Sequence, residues 1–304
     1  MIHTIELSTL SWIYSQNPSQ NDINEIQKIY PFHPLDLEDS MSLRLQRPKI
    51  DSYPDHVFII LHFPVYDMRT HALGLREVDF FVGKNYLVSI SAERFEPLHK
   101  FFNTYADDEK KRNSMKTMSS QELLYRIIDE LVDACLPVAD KISNEIDEAD
   151  REIFRQKAQK TVERISRIRR NIIFFHTMIK PEIALFTAIE EGKISNFDGK
   201  LKDYWGNILD HLTKLTDRLE DYRELIEGIA VANDSVLNYR TNETIKVLTV
   251  FSAIMLPLTL LASIYGMNIN LPLMSHSLTF LLILGLMGLI AIGLYAFFRV
   301  RKWI

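Results

Sequence analysis

The pattern of polar and apolar positions divides the chain in two. From Val247 to Phe298 there is no Asp, Glu, Lys or Arg, whereas the residues before Val247 are rich in all four. A spanning helix needs roughly 20 mostly apolar residues, and Val247–Ile264 and Ser277–Phe298 both meet that length. The pattern predicts a first transmembrane helix over 247–265, an external loop over 266–276, a second transmembrane helix over 277–298 and a basic tail over 299–304.

Upstream, residues 1–118 read as mixed α/β. His56–Asp67 and Val78–Ala92 carry the apolar runs of strands, with Gly83-Lys84-Asn85 as a turn between two strands of the second run, and PFHPLDLEDS reads as a loop entering a short helix. Long helices are predicted over 119–199. Ser119 and Glu122 have capping-box spacing, and Leu123, Ile127, Leu131, Ala134, Val138, Ile142 and Ile146 recur every three or four residues. Acidic residues (Glu145, Asp147, Glu148, Asp150) then face a second helix from Lys157 to about Ile189 that opens basic with Arg164, Arg167, Arg169 and Arg170, and the two stretches form complementary faces. A stalk helix over 200–246 keeps the same spacing through Leu209, Leu212, Leu215, Leu219, Tyr222, Ile226 and Ile229, and runs without a break into the first span. At 1.5 Å per residue it would be on the order of 100 Å long, and a helix of that length is held by partners.

Composition alters this picture little. The 304 residues have a net charge of −5 and a quarter are charged, a soluble average that hides the apolar end. Lys246 precedes the first span and Arg299, Arg301 and Lys302 follow the second, while the loop between carries no fixed charge. Positive flanks stay inside, so both termini are expected in the cytoplasm, with the chain multi-pass in the cell (inner) membrane. MIHTIELSTL lacks the basic start and apolar core of a cleaved signal. The single Cys135 rules out an intrachain disulfide and fits a reducing compartment. Nine histidines are scattered without HExxH or Cys-x-x-Cys, and no phosphate-binding loop or nucleophile elbow is present. An enzyme, a resident cofactor and a nucleic-acid partner are therefore not expected.

The candidate chemistry lies on the first span. Asn242, Ile245, Leu248, Ser252, Leu256, Thr259 and Ser263 share one face and alternate short polar with apolar side chains. Two helices per chain cannot enclose a wet path, so the stripe is useful only if several copies face a common axis. Apolar rings then gate by dewetting and polar rings hold hydrated ions. The outer mouth is Gly266-Met267-Asn268. Mg2+ sheds its waters reluctantly, and carboxamide oxygens can hydrogen-bond to those waters without stripping them.

NETIKVLTVFSAIMLPLTLLASIYGMN, at residues 242–268, resembles the pore helix and Gly-Met-Asn signature of the CorA family of divalent-cation channels. ELLYRIIDELVDACLPVADKISNEIDE is similar to that family's first long helix, DRLEDYRELIEG to its stalk, and RKWI to its basic, tryptophan-containing end. The resemblance implies an α+β chain: an N-terminal α/β cytoplasmic domain, long stalk helices and two C-terminal transmembrane helices, assembled as a homopentameric funnel in membrane lipid. It implies passive influx of Mg2+, with Co2+ and Ni2+ also accepted, and closure by cytoplasmic Mg2+ as regulatory ion. It makes Gly266, Met267 and Asn268 the selectivity filter and puts Asn242, Leu248, Leu256 and Thr259 on pore-lining positions.

Two departures qualify the transfer. Relatives often carry an acid just after Gly-Met-Asn, where this chain has Ile269-Asn270-Leu271-Pro272, so its mouth is neutral. The stalk aspartate expected three residues before Asp-His is Asn207 here, with Asp67 as its counterpart at a strand end. Mg2+ inhibition is then expected to be weaker, or relocated to Asp203 or Asp210. The rivals are a zinc- or cobalt-selective relative and, in another class, a two-span membrane-anchored sensor or scaffold.

Overall fold

The computed structural model describes residues 2–7, 9–42, 44–153, 158–267 and 278–303. The chain forms two compact units, residues 1–230 and 231–304.

A six-stranded sheet organises the first unit: β1 (Ile2–Glu6), β2 (Ser11–Gln16), β3 (Lys49–Ser52), β4 (His56–Asp67), β5 (Ala72–Gly83) and β6 (Tyr86–Ser91), in the order β1-β2-β6-β5-β4-β3. Only β2 and β6 run parallel. Helices α1 (Gln20–Ile29) and α2 (Pro34–Met41) cover one face, where Ile23, Ile26 and Leu37 pack with Phe58, Ile60, Phe81, Val88 and Ile90. Against the sheet also lie α5 (Ser120–Asp133), α6 (Leu136–Ile153) and α7 (Ala158–Glu190), while α3 (Glu96–Asp107) packs on α5 and on the short α4 (Glu109–Ser114). With both faces covered, β4 is buried without alternation from His56 to Pro64. That is why its sequence reads as one apolar run.

The expected strand over His56–Asp67 has those bounds, whereas β5 begins at Ala72 rather than Val78. The earlier start is imposed by pairing: all twelve residues of β5 are in register with the twelve of β4, from Asp67 opposite Ala72 to His56 opposite Gly83. The helical pattern read through Leu123–Ile146 is broken at Ala134-Cys135, between α5 and α6. Pro137 supplies the reason: it has no N–H to give and its ring crowds the carbonyl four residues back, so the first helix stops and a second starts.

The acidic and basic stretches of α6 and α7 meet only in part. Arg164 reaches Glu148 at 2.9 Å and Glu152 at 3.5 Å, and Arg167 lies 3.9 Å from Glu145, whereas Arg169 and Arg170 face solvent. By length and composition alone α7 could also cross a membrane. Instead it buries Ile168, Ile172, Phe175, Ile179 and Phe186 within the first unit.

Helix α8 (Lys202–Tyr265) is continuous for 64 residues and contains Pro257. Its early part belongs to the first unit, where Trp205, Ile208, Leu212, Leu215, Leu219 and Ile226 are buried. The second unit consists of the rest of α8 and α9 (Leu278–Val300).

Candidate ion pathway and cation-binding residues

Each helix of the second unit loses exposure along one stripe. On α8 it is Val250, Ala253, Ile254, Pro257, Leu258, Leu261 and Tyr265; on α9 it is Ile283, Met287, Ile290, Ala291, Leu294 and Phe298. These are the faces the two helices can bury on one another. All seven stripe residues read from the sequence, Asn242, Ile245, Leu248, Ser252, Leu256, Thr259 and Ser263, are exposed. At 3.6 residues per turn they centre roughly 160° around α8 from the half-buried face. Leu248 and Leu256 remain 64 % and 67 % exposed, and about 2 kcal/mol is lost for each such side chain left in water. A row of them requires a cover, from lipid or from further copies.

The hydroxyls of the stripe differ. Thr259 gives its proton to its own helix, at 3.0 Å from the Met255 carbonyl and 2.9 Å from that of Leu256, which leaves its oxygen lone pairs outward. Among the described residues no such back-bond is made by Ser252 or Ser263.

At the end of α8 the Gly266 N–H bonds the Ala262 carbonyl at 2.9 Å and the Met267 N–H that of Ile264 at 3.3 Å. A Cβ at Gly266 would stand 3.1 Å from the Ala262 oxygen and 3.7 Å from the Ser263 oxygen. A larger residue would therefore crowd the carbonyl end of the helix, the end whose partial negative charge favours a cation. Asn268 and the loop over 269–276 lie outside the described residues. In the tail, Trp303 packs on Phe298 at 5.8 Å and the Arg301 guanidinium stands 5.8 Å over Phe297.

A family model described as CorA-like Mg2+ transporter protein matches residues 8–301. The chain belongs to this family. Similar relatives include the cobalt/magnesium transport protein CorA of Thermotoga maritima, 28 % identical over 98 % of this chain and 84 % of the relative. The putative metal ion transporter YfjQ of Bacillus subtilis is 26 % identical over 96 % of this chain and 89 % of its own. Among solved structures, the complete CorA magnesium transporter of Methanocaldococcus jannaschii superposes with a TM-score of 0.84 at 20 % identity, covering 99 % of this chain and 94 % of the other. The fold of this CorA-like chain is therefore that of a membrane metal-ion transporter, with an α/β soluble part, a long helix and apolar C-terminal helices.

The candidate regulatory residues of the CorA-like chain fall in different places. Asp67 ends β4, and its Oδ1 accepts the Arg69 N–H at 2.8 Å. That bond, with those from Thr70, holds the carboxyl below its ordinary range, so it is anionic. Asn207 on α8 donates to Asp129 of α5 at 3.2 Å and approaches the Tyr125 hydroxyl at 3.4 Å. No bond joins Asp67 and Asn207 among the described residues. Asp203 is exposed, and the Asp210 carboxylate accepts from the Lys214 ammonium at 2.5 Å.

Sequence reasoning missed Asp129 and Asp133. They lie one turn apart on α5 and face Asn207 and His211, one turn apart on α8, with His211 Nδ1 3.3 Å from Asp133. Burial, then the Asp133 charge, pushes Asp129 above the usual carboxylate range. Matching i, i+4 polar pairs on two helices were the available signal.

Proposed function

We propose that this chain forms a homopentameric channel in which five α8 helices line one axial path for hydrated divalent cations, chiefly Mg2+ and also Co2+ and Ni2+. The observation that carries this reading is the seven-residue stripe, exposed on the face of α8 roughly opposite the one that is half-buried. Both termini are cytoplasmic, because Lys246 and the basic tail flank the spans on one side. Influx needs no coupled reaction: an inside-negative potential contributes about 2.3 kcal/mol per charge per 100 mV, hence roughly twice that for a divalent ion. A two-span scaffold would have no use for a polar stripe on its membrane helix.

Reconstitution tests the proposal. Liposomes containing the purified protein are expected to take up Mg2+ when the interior is made negative, and the detergent-solubilised assembly is expected to have the mass of five chains. Impermeable vesicles or a monomer would overturn it. Zn2+ competing at far lower concentration than Mg2+ would favour the zinc-selective reading instead.

Cytoplasmic Mg2+ is proposed to restrain the channel through Asp67, at an affinity lowered because Asn207 offers an amide where a second carboxylate would serve. Asn207→Asp would set that carboxylate beside Asp129. The variant is expected to reduce the Mg2+ concentration for half-inhibition about tenfold, the effect of one added anionic oxygen ligand. Inhibition unchanged from the parent chain would remove α8 from the regulatory site.

A further inference from the structure

The β4–β5 hairpin outruns its neighbours in the sheet. Among the described residues β3 pairs with Val57–Ile60 and β6 with Asp79–Val82, and beyond these limits neither hairpin edge has a described strand partner. At its tip the chain turns between Asp67 and Ala72, and the His71 N–H returns to the Asp67 carbonyl at 2.8 Å. His71 itself has a φ of +55°, an uncommon conformation for a residue with a Cβ, which persists where surrounding contacts hold it.

Those contacts come from two helices. Asn171 of α7, buried, donates its Nδ2 to the His71 carbonyl at 2.8 Å and accepts the Leu73 N–H at 3.1 Å. One carboxamide thus grips the main chain on either side of Ala72 as a parallel strand would. Glu145 of α6, also buried, lies 2.6 Å from His71 Nδ1, which the Tyr66 hydroxyl approaches at 3.1 Å. Arg167 stands 3.9 Å from the same carboxylate.

We infer that Asn171 and Glu145 are positioning residues for cytoplasmic cation control: they hold the hairpin tip so that the Asp67 carboxylate is presented in one fixed geometry. The inference rests on the reading of Asp67 as a cation ligand. Ligand geometry matters most for a small ion that demands near-ideal octahedral oxygens. A tip released from α6 and α7 would still carry the charge but would have to be ordered by the cation itself. Neither Asn171 nor Glu145 belongs to the conducting stripe, so flux at zero inhibitor is expected to be unchanged.

The test measures Mg2+ flux in liposomes as a function of Mg2+ on the face bearing the soluble domain. Asn171→Ala is expected to raise the half-inhibitory concentration at least about fivefold, that is by ~1 kcal/mol or more. Asn171→Ala combined with Asp67→Ala should be no worse than Asp67→Ala alone, because Asn171 acts only by positioning that carboxylate. Glu145→Ala should behave as Asn171→Ala does, and Glu145→Gln, which keeps an oxygen for His71, should restore most of the sensitivity. In parallel, trypsin should cut after Arg69 faster in Asn171→Ala than in the parent chain, in the absence of divalent cation.

Parent-like inhibition in Asn171→Ala, or a fully additive double variant, would overturn the inference. A flux indifferent to Asp67→Ala would overturn the cation reading of Asp67 and the regulatory role with it, while the trypsin comparison would still decide whether the clamp exists. Should Asn171→Ala fail to assemble, the Glu145 pair of variants decides the matter.

Discussion

Asn268→Ala is expected to reduce Mg2+ uptake into liposomes by at least about tenfold, with the oligomer intact. In a pentamer the substitution deletes five carboxamide oxygens from the mouth at once. On the proposed reading those oxygens would be the hydrogen-bond partners of the ion's own waters, and a strongly hydrated cation would have little else to hold it at a neutral entrance. A tenfold loss corresponds to only ~1.4 kcal/mol, which one lost hydrogen bond per ion would supply. Gly266→Ala should give a comparable loss by another route. Its Cβ would meet the Ala262 carbonyl at 3.1 Å, so backbone rather than a flexible side chain has to shift, and the carbonyl end of α8 shifts with it. Dye-reported flux alongside size-exclusion of the same preparations checks both. Parent rates in Asn268→Ala would show that the ion is selected elsewhere.

The second large effect is on stability and follows from Glu182. Its side chain on α7 is buried and accepts the His62 N–H at 2.6 Å, on the part of β4 that β3 does not reach. Burial pushes its pKa from 4.5 up to about 8, against the opposing pull of that N–H. In the folded chain the carboxyl is therefore protonated through neutral pH, whereas in the unfolded chain it ionises above its ordinary value. The folded state binds the extra proton, so its contribution is fully present below about pH 4.5 and is lost progressively as pH rises to about 8. Glu182→Gln keeps the acceptor for His62 and removes the titration. It is expected to stabilise the chain at pH 8 by as much as ~4 kcal/mol and to flatten that part of the pH dependence. Thermal unfolding of the detergent-solubilised protein from pH 5 to pH 9 measures this. If the variant lost stability with pH as steeply as the parent, Glu182 would not be the titrating group.

Asp129 and Asn171 show where reading the sequence stops. Asp129 is one acid among many on an amphipathic helix, and its i, i+4 pairing with Asp133 gives it no meaning until the facing helix is known. It matters because α8, 78 residues further along, brings Asn207 against it. Asn171 sits in a run of arginines and apolar residues, where a polar residue is unremarkable until it meets a hairpin tip 100 residues earlier in the chain. By contrast, the stripe on α8 was legible because it is periodic. Three- and four-residue spacing is a property of one helix, and the seven positions it selected are all exposed.

The amino-acid order alone therefore determined the charge-free end, the continuous helix leading into it and its polar stripe, since each is set by spacing within a single segment. The three-dimensional arrangement alone decided the early strands β1, β2 and β3, the full length of β5 and the partners of Asp67, Asn207 and Glu182. Strand pairing and buried polar bonds are made between residues far apart in the chain. Their energy depends on which groups the fold excludes from water together, and no local pattern records that.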